Sequence, residues 1–360
     1  MADKRTCKLK GASIIRKQLN TLYVATEGAW LTKDGANIVM SVDHQERARV
    51  PAHMLESLVC FGRVLVSPPL LGYCAEQKIS VSFLTNYGKF LARVEGPVSG
   101  NVLLRREQYR ATDDPAHCTR IVRNILAGKL HNQRAVLGRG LRDHGNKLTT
   151  AASAALAHAH RRLKFIRTVL MDDQTVDLLR GHEGEAAQAY FGTFDHLIQV
   201  PDAELRFHGR NRRPPTDPVN ALLSLVYTLL THDCRSALET TGLDPSVGFL
   251  HRDRPGRPSL ALDMAEEFRA FLADRLVLSL INRRQITAKG FLIMDSGAVV
   301  LKEDTRKIVL TAYQERKREE LLQPFLGEKV AIGLLPFIQA QLLARHLRRD
   351  LDAYPPFLWK

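Results

Sequence analysis

The first hundred residues place apolar and polar side chains in short alternating runs, a pattern typical of half-buried β-strands. Apolar side chains alternate at residues 38–42 and again around 90–94, and residues 22–24 add a third short apolar run. Lys33-Asp34-Gly35 lies before the first of these runs and predicts a hairpin turn. This part of the chain therefore predicts a compact β-rich domain.

Two prolines interrupt the alternating pattern and predict short helices, because proline is favoured in the first turn of a helix. Pro51 predicts a helix that ends at Gly62, and Pro68 predicts a second one. Further on, Gly-Pro-Val-Ser-Gly at residues 96–100 predicts a joint between two domains.

After this joint the spacing of apolar residues becomes mainly helical, up to about residue 347. A small hairpin with Asp295-Ser296-Gly297 at its turn is predicted near the end. Four stretches have the period of a buried or amphipathic helix, namely residues 121–126, 151–163, 219–230 and 262–281. The sequence thus predicts an α+β fold, in which a β-rich, β-sandwich-like N-terminal domain precedes a larger α-helical domain.

Three segments follow from these patterns. Residues 1–17 are a basic N-terminal extension, residues 18–98 are the β-rich domain, and residues 99–360 are the α-helical domain. A chain of 360 residues with 45% apolar residues can build two domains of ordinary size with real cores.

Charge adds a prediction about the binding partner. Lys and Arg number 52 against 38 Asp and Glu, which gives a formal net charge of +14. A protein this basic usually binds a polyanion, and nucleic acid is the first candidate. An anionic membrane surface is less favoured, because the basic residues are spread along the chain. A basic enzyme without a polyanionic partner is the alternative.

Several function classes are disfavoured by what the sequence lacks. No apolar run approaches the length of a membrane helix, and no apolar run follows the charged N-terminus, so no signal peptide is predicted. The five cysteines are scattered and lack CxxC spacing, which predicts a reducing, cytoplasmic location rather than a disulfide framework or a zinc site. The P-loop, GxGxxG, GxSxG and HExxH motifs are absent, so neither a nucleotide loop nor a common hydrolase motif is indicated.

Acids and a histidine form the one pattern that suggests chemistry. Glu183 lies among small residues inside a helical run, His251 ends an apolar segment, and Asp263 and Glu266 share one helix face. The apolar stretch around Asp263 and Glu266 predicts that at least one of the two is partly buried, and a buried acid needs a partner, either an arginine or a metal ion. A mixed oxygen and nitrogen set suits Mg²⁺ or Mn²⁺, and such an ion next to a basic surface suits phosphodiester chemistry. A structural network of salt bridges is the alternative.

Basic loops near these residues are candidates for binding DNA. Arg212 and Arg213 precede the helix at 219–230, and Arg252, Arg254 and Arg257 follow the histidine. Arginine side chains on such loops hold phosphates without reading sequence. Solvated loops with no ligand are the alternative.

Polar residues around two helices have either a functional or a structural interpretation. Asp217 predicts a helix cap. Asn220, Ser224 and Tyr227 follow at helical spacing and face either a polar cleft or the core, with the core favoured for Tyr227. A second basic stretch either tracks a DNA backbone or is a solvated helix face; it comprises Arg105, Arg106, Lys129, Asn132, Gln133, Arg134, Arg139 and Arg142.

Longer runs of sequence resemble a known family. The most diagnostic are Gly-Leu-Asp-Pro-Ser-Val-Gly-Phe-Leu-His at residues 242–251 and Gly-Arg-Pro-Ser-Leu-Ala-Leu-Asp at 256–263. With the runs at 19–24, 100–109 and 212–223, they resemble the CRISPR-associated adaptation integrases, the Cas-one family of endonucleases, and in particular subtype I-C. The resemblance covers nearly the whole chain apart from the first seventeen residues.

The resemblance implies a β-rich domain that dimerises and an α-helical domain that is catalytic. It implies a catalytic Mg²⁺ or Mn²⁺ held by Glu183, His251 and Glu266, with Asp263 as an accessory acid. Some family members have Asp at the position of Glu266, which leaves the class of ligand unchanged.

The implied reaction joins fragments of foreign DNA into a CRISPR repeat array. The 3′ hydroxyl of the fragment attacks a phosphodiester of the repeat, so the implied ligands are double-stranded protospacer and repeat DNA. The implied partners are a second copy of this chain, a small ferredoxin-like protein of the Cas-two family and, in subtype I-C, a RecB-like exonuclease of the Cas-four family. No membrane is involved. A non-catalytic DNA-binding scaffold subunit is the alternative function.

Overall fold

The computed structural model describes residues 15–18, 21–55, 57–86, 90–94, 102–172, 174–211 and 214–359. The chain divides into two compact units, Met1–Ser99 and Gly100–Lys360. The first is rich in β-strands and the second is mainly helical, which confirms the predicted α+β fold class. The predicted joint at 96–100 lies outside the described residues.

The first unit consists of nine described strands and one described α-helix. In chain order these are β1 (Ile15–Gln18), β2 (Thr21–Val24), β3 (Trp30–Asp34), β4 (Asn37–Val42), β5 (Gln45–Pro51), β6 (Ser57–Phe61), β7 (Leu65–Val66), α1 (Pro68–Glu76), β8 (Ser80–Leu84) and β9 (Phe90–Val94). The strand β1 falls at the end of the predicted basic extension and pairs with β2 in antiparallel orientation.

These strands form two sheets that share one core. The first sheet has the order β1-β2-β6-β8-β9 and the second has the order β5-β4-β3-β7. Leu22, Leu58 and Val81 from the first sheet belong to the same buried cluster as Leu31 and Met40 from the second. The predicted hairpin is confirmed as β3 and β4, which pair in antiparallel orientation.

The helix predicted from Pro51 to Gly62 is wrong. A single 3₁₀ turn at Ala52–Met54 is followed by β6, which lies between β2 and β8 in parallel pairing. Every residue of β6 is buried. A strand covered on both faces is a continuous apolar run, and its periodicity does not distinguish it from a buried helix.

The second unit is built from nine described α-helices and two small hairpins. The helices are α2 (Val102–Asp113), α3 (Pro115–His144), α4 (Thr150–Val169), α5 (Val176–Phe191), α6 (Pro218–Thr241), α7 (Ser259–Phe268), α8 (Arg275–Asn282), α9 (Glu303–Arg318) and α10 (Leu335–Leu347). The hairpins are β10 (Phe291–Ile293) with β11 (Val299–Leu301), and β12 (Glu320–Gln323) with β13 (Glu328–Ala331). The first hairpin confirms the one predicted around Asp295-Ser296-Gly297.

The helix α3 is the central element of this unit, since α4, α5 and α7 all pack against it. It begins at Pro115, and the Asp114 side chain caps it by accepting hydrogen bonds from the next free backbone N–H groups. The helix α6 begins in the same way, because Asp217 accepts from Asn220 N, and the predicted cap is confirmed.

The C-terminal tail folds back onto α3 and α7. The buried Glu267 carboxylate of α7 accepts hydrogen bonds from Phe357 N at 2.6 Å and from Tyr354 Oη at 2.5 Å. Trp359 N donates to Asn132 Oδ1 of α3 at 2.8 Å. The tail thereby joins α3, which contains Lys129, to α7, which contains Glu266.

Two further observations concern the sequence predictions. Among the described residues, no helix has the length and the apolar character that crossing a bilayer requires. Cys60, Cys74, Cys118 and Cys234 are free thiols, and all four are buried. Cys7 lies outside the described residues.

Candidate active site

Two acids from different helices meet at a buried lysine. Lys129 of α3 forms an ion pair with Glu183 Oε1 of α5, and its Nζ lies 2.8 Å from Glu266 Oε2 of α7. Arg269, one turn after Glu266, pairs with the other oxygen, Oε1. Glu266 is only 3% exposed. The two acids that were predicted to act together, although 83 positions apart in the sequence, are thus joined by one cation.

Asp263 fixes the position and the tautomer of His251. It is fully buried, and its carboxylate accepts hydrogen bonds from the backbone N–H groups of Phe249, Leu250 and His251 at 2.6, 2.9 and 3.0 Å. His251 Nδ1 lies 2.6 Å from Asp263 Oδ1. Because an ionised carboxylate only accepts, Nδ1 carries the hydrogen and Nε2 keeps its lone pair.

The free nitrogen of His251 lies on the side of Glu266. His251 Nε2 is 3.9 Å from Glu266 Oε1, beyond hydrogen-bond distance. The structure therefore links the four predicted residues in one series, in which Glu183 reaches Glu266 through Lys129, and Glu266 lies next to His251 and its partner Asp263. Asp263 and Glu266 share a helix face, as the sequence predicts, and both are buried, whereas the sequence predicts partial burial of at least one of them.

Cations dominate the electrostatics of Glu266. Burial acts to raise the pKa of its carboxyl group, but Arg269 and Lys129 outweigh burial and lower the pKa well below its usual range. Burial acts in the opposite sense on Lys129, and Glu266 and Glu183 outweigh it, so the pKa of the ammonium is raised. At neutral pH Glu266 is therefore a carboxylate and Lys129 an ammonium ion.

Of these residues, Lys129, Glu183 and Glu266 line a cleft of about 660 Å³. Its walls include Lys129, Glu183 and Glu266 together with Arg210, Arg269, Tyr227 and Asp274. The guanidinium groups of Arg210 and Arg269 each lie 5.1 Å from the centre of the Tyr227 ring. Tyr227, for which the core was favoured, therefore faces the cleft with its ring.

Asp274 lines the cleft and is the last residue of a π-helical segment, Arg269–Asp274, between α7 and α8. Tyr227 Oη donates to its Oδ1 at 2.6 Å, and Tyr190 Oη donates to its Oδ2 at 2.9 Å. Burial raises the pKa of Asp274 to about 6, even though both tyrosines and two arginines favour the charged form. π-Helical segments often occur at functional sites.

We expect Asp274 to make the protein less stable as the pH rises from about 4 to about 6. Its folded-state pKa lies above the unfolded value, so its stabilising effect is complete below the unfolded pKa and is lost as the pH rises through about 6. The test is urea unfolding of wild type and Asp274→Asn at several pH values. Between about pH 4 and about pH 6, wild type should lose about 3 kcal/mol of unfolding free energy relative to Asp274→Asn. A difference that does not change with pH would contradict the raised pKa.

The arginines predicted to bind DNA have different environments. Arg212 and Arg213 lie outside the described residues. Arg252 is exposed and lies 3.0 Å from Asp177 Oδ1, while Arg254 is exposed and Arg257 is half-buried. Arg210, which was not singled out, lines the cleft and donates to Asn220 Oδ1 at 2.6 Å.

Sequence reasoning missed the roles of Lys129, Arg269 and Asp274. Lys129 was grouped with a surface-like basic stretch, but it is 6% exposed and follows the buried face of α3 that contains Leu126 and Leu130. A lysine among buried helical positions needs an anionic partner, and this signal was available in the sequence.

The donor set fits a divalent cation in its chemistry. Among the described residues, no three His, Cys, Asp or Glu side chains are already arranged to hold a metal ion. However, the buried Glu266 Oε2 accepts no hydrogen bond from a described group, although Lys129 lies within ion-pair distance. A histidine that binds a metal ion through one ring nitrogen usually donates the N–H of the other ring nitrogen to a carboxylate, as His251 does to Asp263. Two carboxylates and one imidazole suit Mg²⁺ or Mn²⁺.

Comparison with protein families places this geometry among known proteins. The family described as CRISPR associated protein Cas1 matches residues 22–315. CRISPR-associated endonuclease Cas1 2 of Rhodospirillum rubrum is 57% identical over 96% of this chain and 100% of that protein. A CRISPR-associated exonuclease Cas4/endonuclease Cas1 fusion of Geobacter sulfurreducens is 34% identical over 94% of this chain and 60% of the fusion.

Solved structures share the fold at lower sequence identity. A CAS1 protein from Thermotoga maritima superimposes with a TM-score of 0.77 over 91% of this chain and 97% of that chain, at 24% identity. A chain of a Cas6-RT-Cas1–Cas2 complex gives a TM-score of 0.80 over 98% of this chain and 37% of that chain, at 23% identity. At these identities the likeness shows the fold.

Proposed function

Because this chain belongs to the Cas1 family of CRISPR-associated proteins, the Cas-one family, we propose that it is a metal-dependent DNA endonuclease and integrase of CRISPR adaptation. The observation that carries the proposal is that Glu183 and Glu266 meet at Lys129 in one cleft, with His251 Nε2 3.9 Å from Glu266 Oε1. The relative at 57% identity is named an endonuclease, which agrees with a cleft suited to phosphodiester chemistry.

In this proposal Glu183, Glu266 and His251 Nε2 hold Mg²⁺ or Mn²⁺. The bound ion would polarise a phosphodiester and make a nearby hydroxyl a better nucleophile. Lys129 now lies between the two carboxylates, so it would have to turn away from at least one of them. Asp263 keeps His251 in the required tautomer throughout.

The remaining residues of the cleft are suited to holding the DNA backbone. Arg210 and Arg269 supply guanidinium groups, which bind phosphate oxygens through two parallel hydrogen bonds and stabilise charge that develops in the transition state. The 3′ hydroxyl of a captured DNA fragment would attack a phosphorus atom of the repeat. One O–P bond forms, one breaks, and the repeat strand leaves with a new 3′ hydroxyl, so no ATP is needed.

Two such attacks on opposite strands need two active sites at a fixed separation. We therefore propose that the β-rich unit dimerises and that a small protein of the Cas2 family, the Cas-two family, bridges the dimers. The likeness to a chain of a Cas6-RT-Cas1–Cas2 complex is compatible with this partner. The Cas4/Cas1 fusion supports the Cas4 family, the Cas-four family, as a second partner. The finer assignment to subtype I-C rests on the runs at 242–251 and 256–263.

We expect strand joining to depend on the metal and on the site residues. The purified protein and its small partner would be mixed with a labelled 3′-hydroxyl DNA fragment, a plasmid that carries the repeat, and Mn²⁺ or Mg²⁺. Joined product should form, and it should disappear with EDTA and in the Glu183→Ala and His251→Ala variants. Glu315→Ala, which removes an exposed acid of α9, is the matched control and should join as wild type does.

The same experiment tests the alternative function of a non-catalytic scaffold. DNA binding without any joined product, unchanged by Glu183→Ala and His251→Ala, would favour the scaffold. The acids would then be a structural network of ion pairs around Lys129.

A further inference from the structure

A second cavity lies between α3 and α4 and shares no lining residue with the cleft. We call it the α3–α4 groove; it has a volume of about 270 Å³, and its lining includes His131, Arg134, Gly138, Arg142 and His160. Arg134, Gly138 and Arg142 are spaced four residues apart, so they form one row along α3. Lys129 and Gln133, which line the cleft, belong to a different side of the same helix.

The two helices that form the groove carry a nearly unbalanced positive charge. The helix α3 contains six Lys and Arg but only one acid, Asp143, and α4 contains four Lys and Arg and no acid. Arg162 of α4 pairs with Glu185. In the described part of the chain, no carboxylate pairs with Arg134 or Arg142, and the buried Arg134 Nε has no hydrogen-bond acceptor. The groove therefore presents cations whose charge the protein does not neutralise.

Gly138 of α3 lies close to polar side chains of the groove, and Trp359 lies beside Arg139 in its lining. A Cβ at Gly138 would lie 3.4 Å from His160 Nε2 and 3.7 Å from Arg142 Nη1, so both polar groups lie close to the backbone of α3. The Trp359 ring is held 4.8 Å from the Arg139 guanidinium. Its carbonyl oxygen lies 2.9 Å from His131 Nε2.

The pKa of His160 is lowered by the same excess of positive charge. Burial lowers the pKa of His160, and Arg134, Arg161, Lys164 and Arg142 lower it further. At neutral pH His160 is therefore an uncharged hydrogen-bonding group between arginines. An anion entering the groove would meet arginine charge and ring N–H or N groups, but no acid on the lining.

We propose that the α3–α4 groove binds the phosphodiester backbone of duplex DNA, as a contact separate from the cleft. Arg134 and Arg142 are eight residues apart, about 12 Å along the helix, and a DNA strand presents one phosphate per about 3.4 Å of axis. The row therefore spans several successive phosphates. Arginine forks bind phosphates without reading bases, and the buried Trp359 ring is not available for stacking on a base.

DNA fits this surface better than a protein partner does. A protein surface usually mixes both signs of charge, and the unpaired arginines would then meet like charges, whereas a DNA backbone is uniformly anionic. The inference rests on the proposed function only in taking DNA as the ligand.

The salt dependence of DNA binding tests the proposal. The full-length protein would be titrated onto a fluorescent duplex in EDTA, between about 50 and about 200 mM salt. Arg134→Gln combined with Arg142→Gln should weaken binding and reduce the slope of log K against log salt by about 1.8, because each lost phosphate contact contributes about 0.9. The matched control, Arg283→Gln with Lys289→Gln, removes the same charge from exposed positions after α8 and should change the slope less.

A second variant guards against a folding defect. Arg161→Gln with Lys164→Gln removes two exposed cations of α4 that act on His160 and should also reduce the slope. Slopes equal to wild type in both α3 and α4 variants would overturn the proposal and leave an acidic protein as the occupant. Equal losses in the control would also overturn it, as an effect of net charge alone. Failure of metal-dependent joining would refute the proposed function without changing this binding result.

Discussion

Replacing Glu266 with glutamine is expected to lower the rate of strand joining by a factor on the order of 10³, the size of the loss when one preorganised electrostatic contact is removed from a transition state. Glutamine keeps the shape of the side chain but removes the charge shared by Lys129, Arg269 and the proposed metal ion. DNA binding in EDTA should not decrease, because no cation that contacts phosphate is removed.

The same substitution should also destabilise the fold. Removing one partner of a buried ion pair leaves an uncompensated charge, which costs about 3 to 5 kcal/mol, and Lys129 is almost completely buried. Lys129→Met alone should be destabilising for the same reason. The double variant should lose less than the sum of the two single variants, because removing both partners leaves neither charge of this pair buried and uncompensated. Chemical unfolding of all three variants measures this coupling, and strictly additive losses would contradict the buried pair.

Features that depend on neighbouring residues could be predicted from the sequence, and features that depend on distant residues could not. Strands, helices and the cap at Asp217 depend on neighbours within a few residues, and the sequence contains those neighbours. The pair Asp263 and Glu266 was also predictable, because helical spacing alone places them on one face. The β6 strand was missed because its hydrogen-bonding partners, β2 and β8, are distant in the sequence, and a strand buried on both faces lacks the alternating pattern.

Site residues divide in the same way. Glu183, His251 and Glu266 were selected as a metal-binding set through the resemblance to a family, because their local patterns alone favoured a salt-bridge network. Lys129 joins acids that are 54 and 137 positions away, so no local pattern indicates its partners. The hairpin β12–β13 was not predicted either, since two strands of four residues are too short for a periodic signal.

Replacing Asp263 with asparagine should destabilise the loop that carries His251 and slow strand joining. The carboxylate accepts three backbone N–H groups as well as His251 Nδ1, and an asparagine offers one oxygen and turns an NH₂ group toward the remaining donors. Each buried donor without an acceptor costs roughly 1 to 3 kcal/mol, so the unfolding free energy should fall by about 3 kcal/mol. Joining should slow by about 10- to 100-fold, as when the supporting carboxylate of a metal-binding histidine is lost.

The matched control for this substitution lies in the same loop. Asp253→Asn makes the identical chemical change at an exposed residue that accepts one hydrogen bond, from Gly248 N at 3.3 Å. It should alter unfolding and joining little. If joining is slowed by loss of the tautomer rather than by unfolding, Asp263→Asn should stay slow at temperatures far below its unfolding midpoint. Joining as fast as in Asp253→Asn under those conditions would mean that His251 needs no partner at Nδ1, and would remove the physical basis for treating it as a ligand through Nε2.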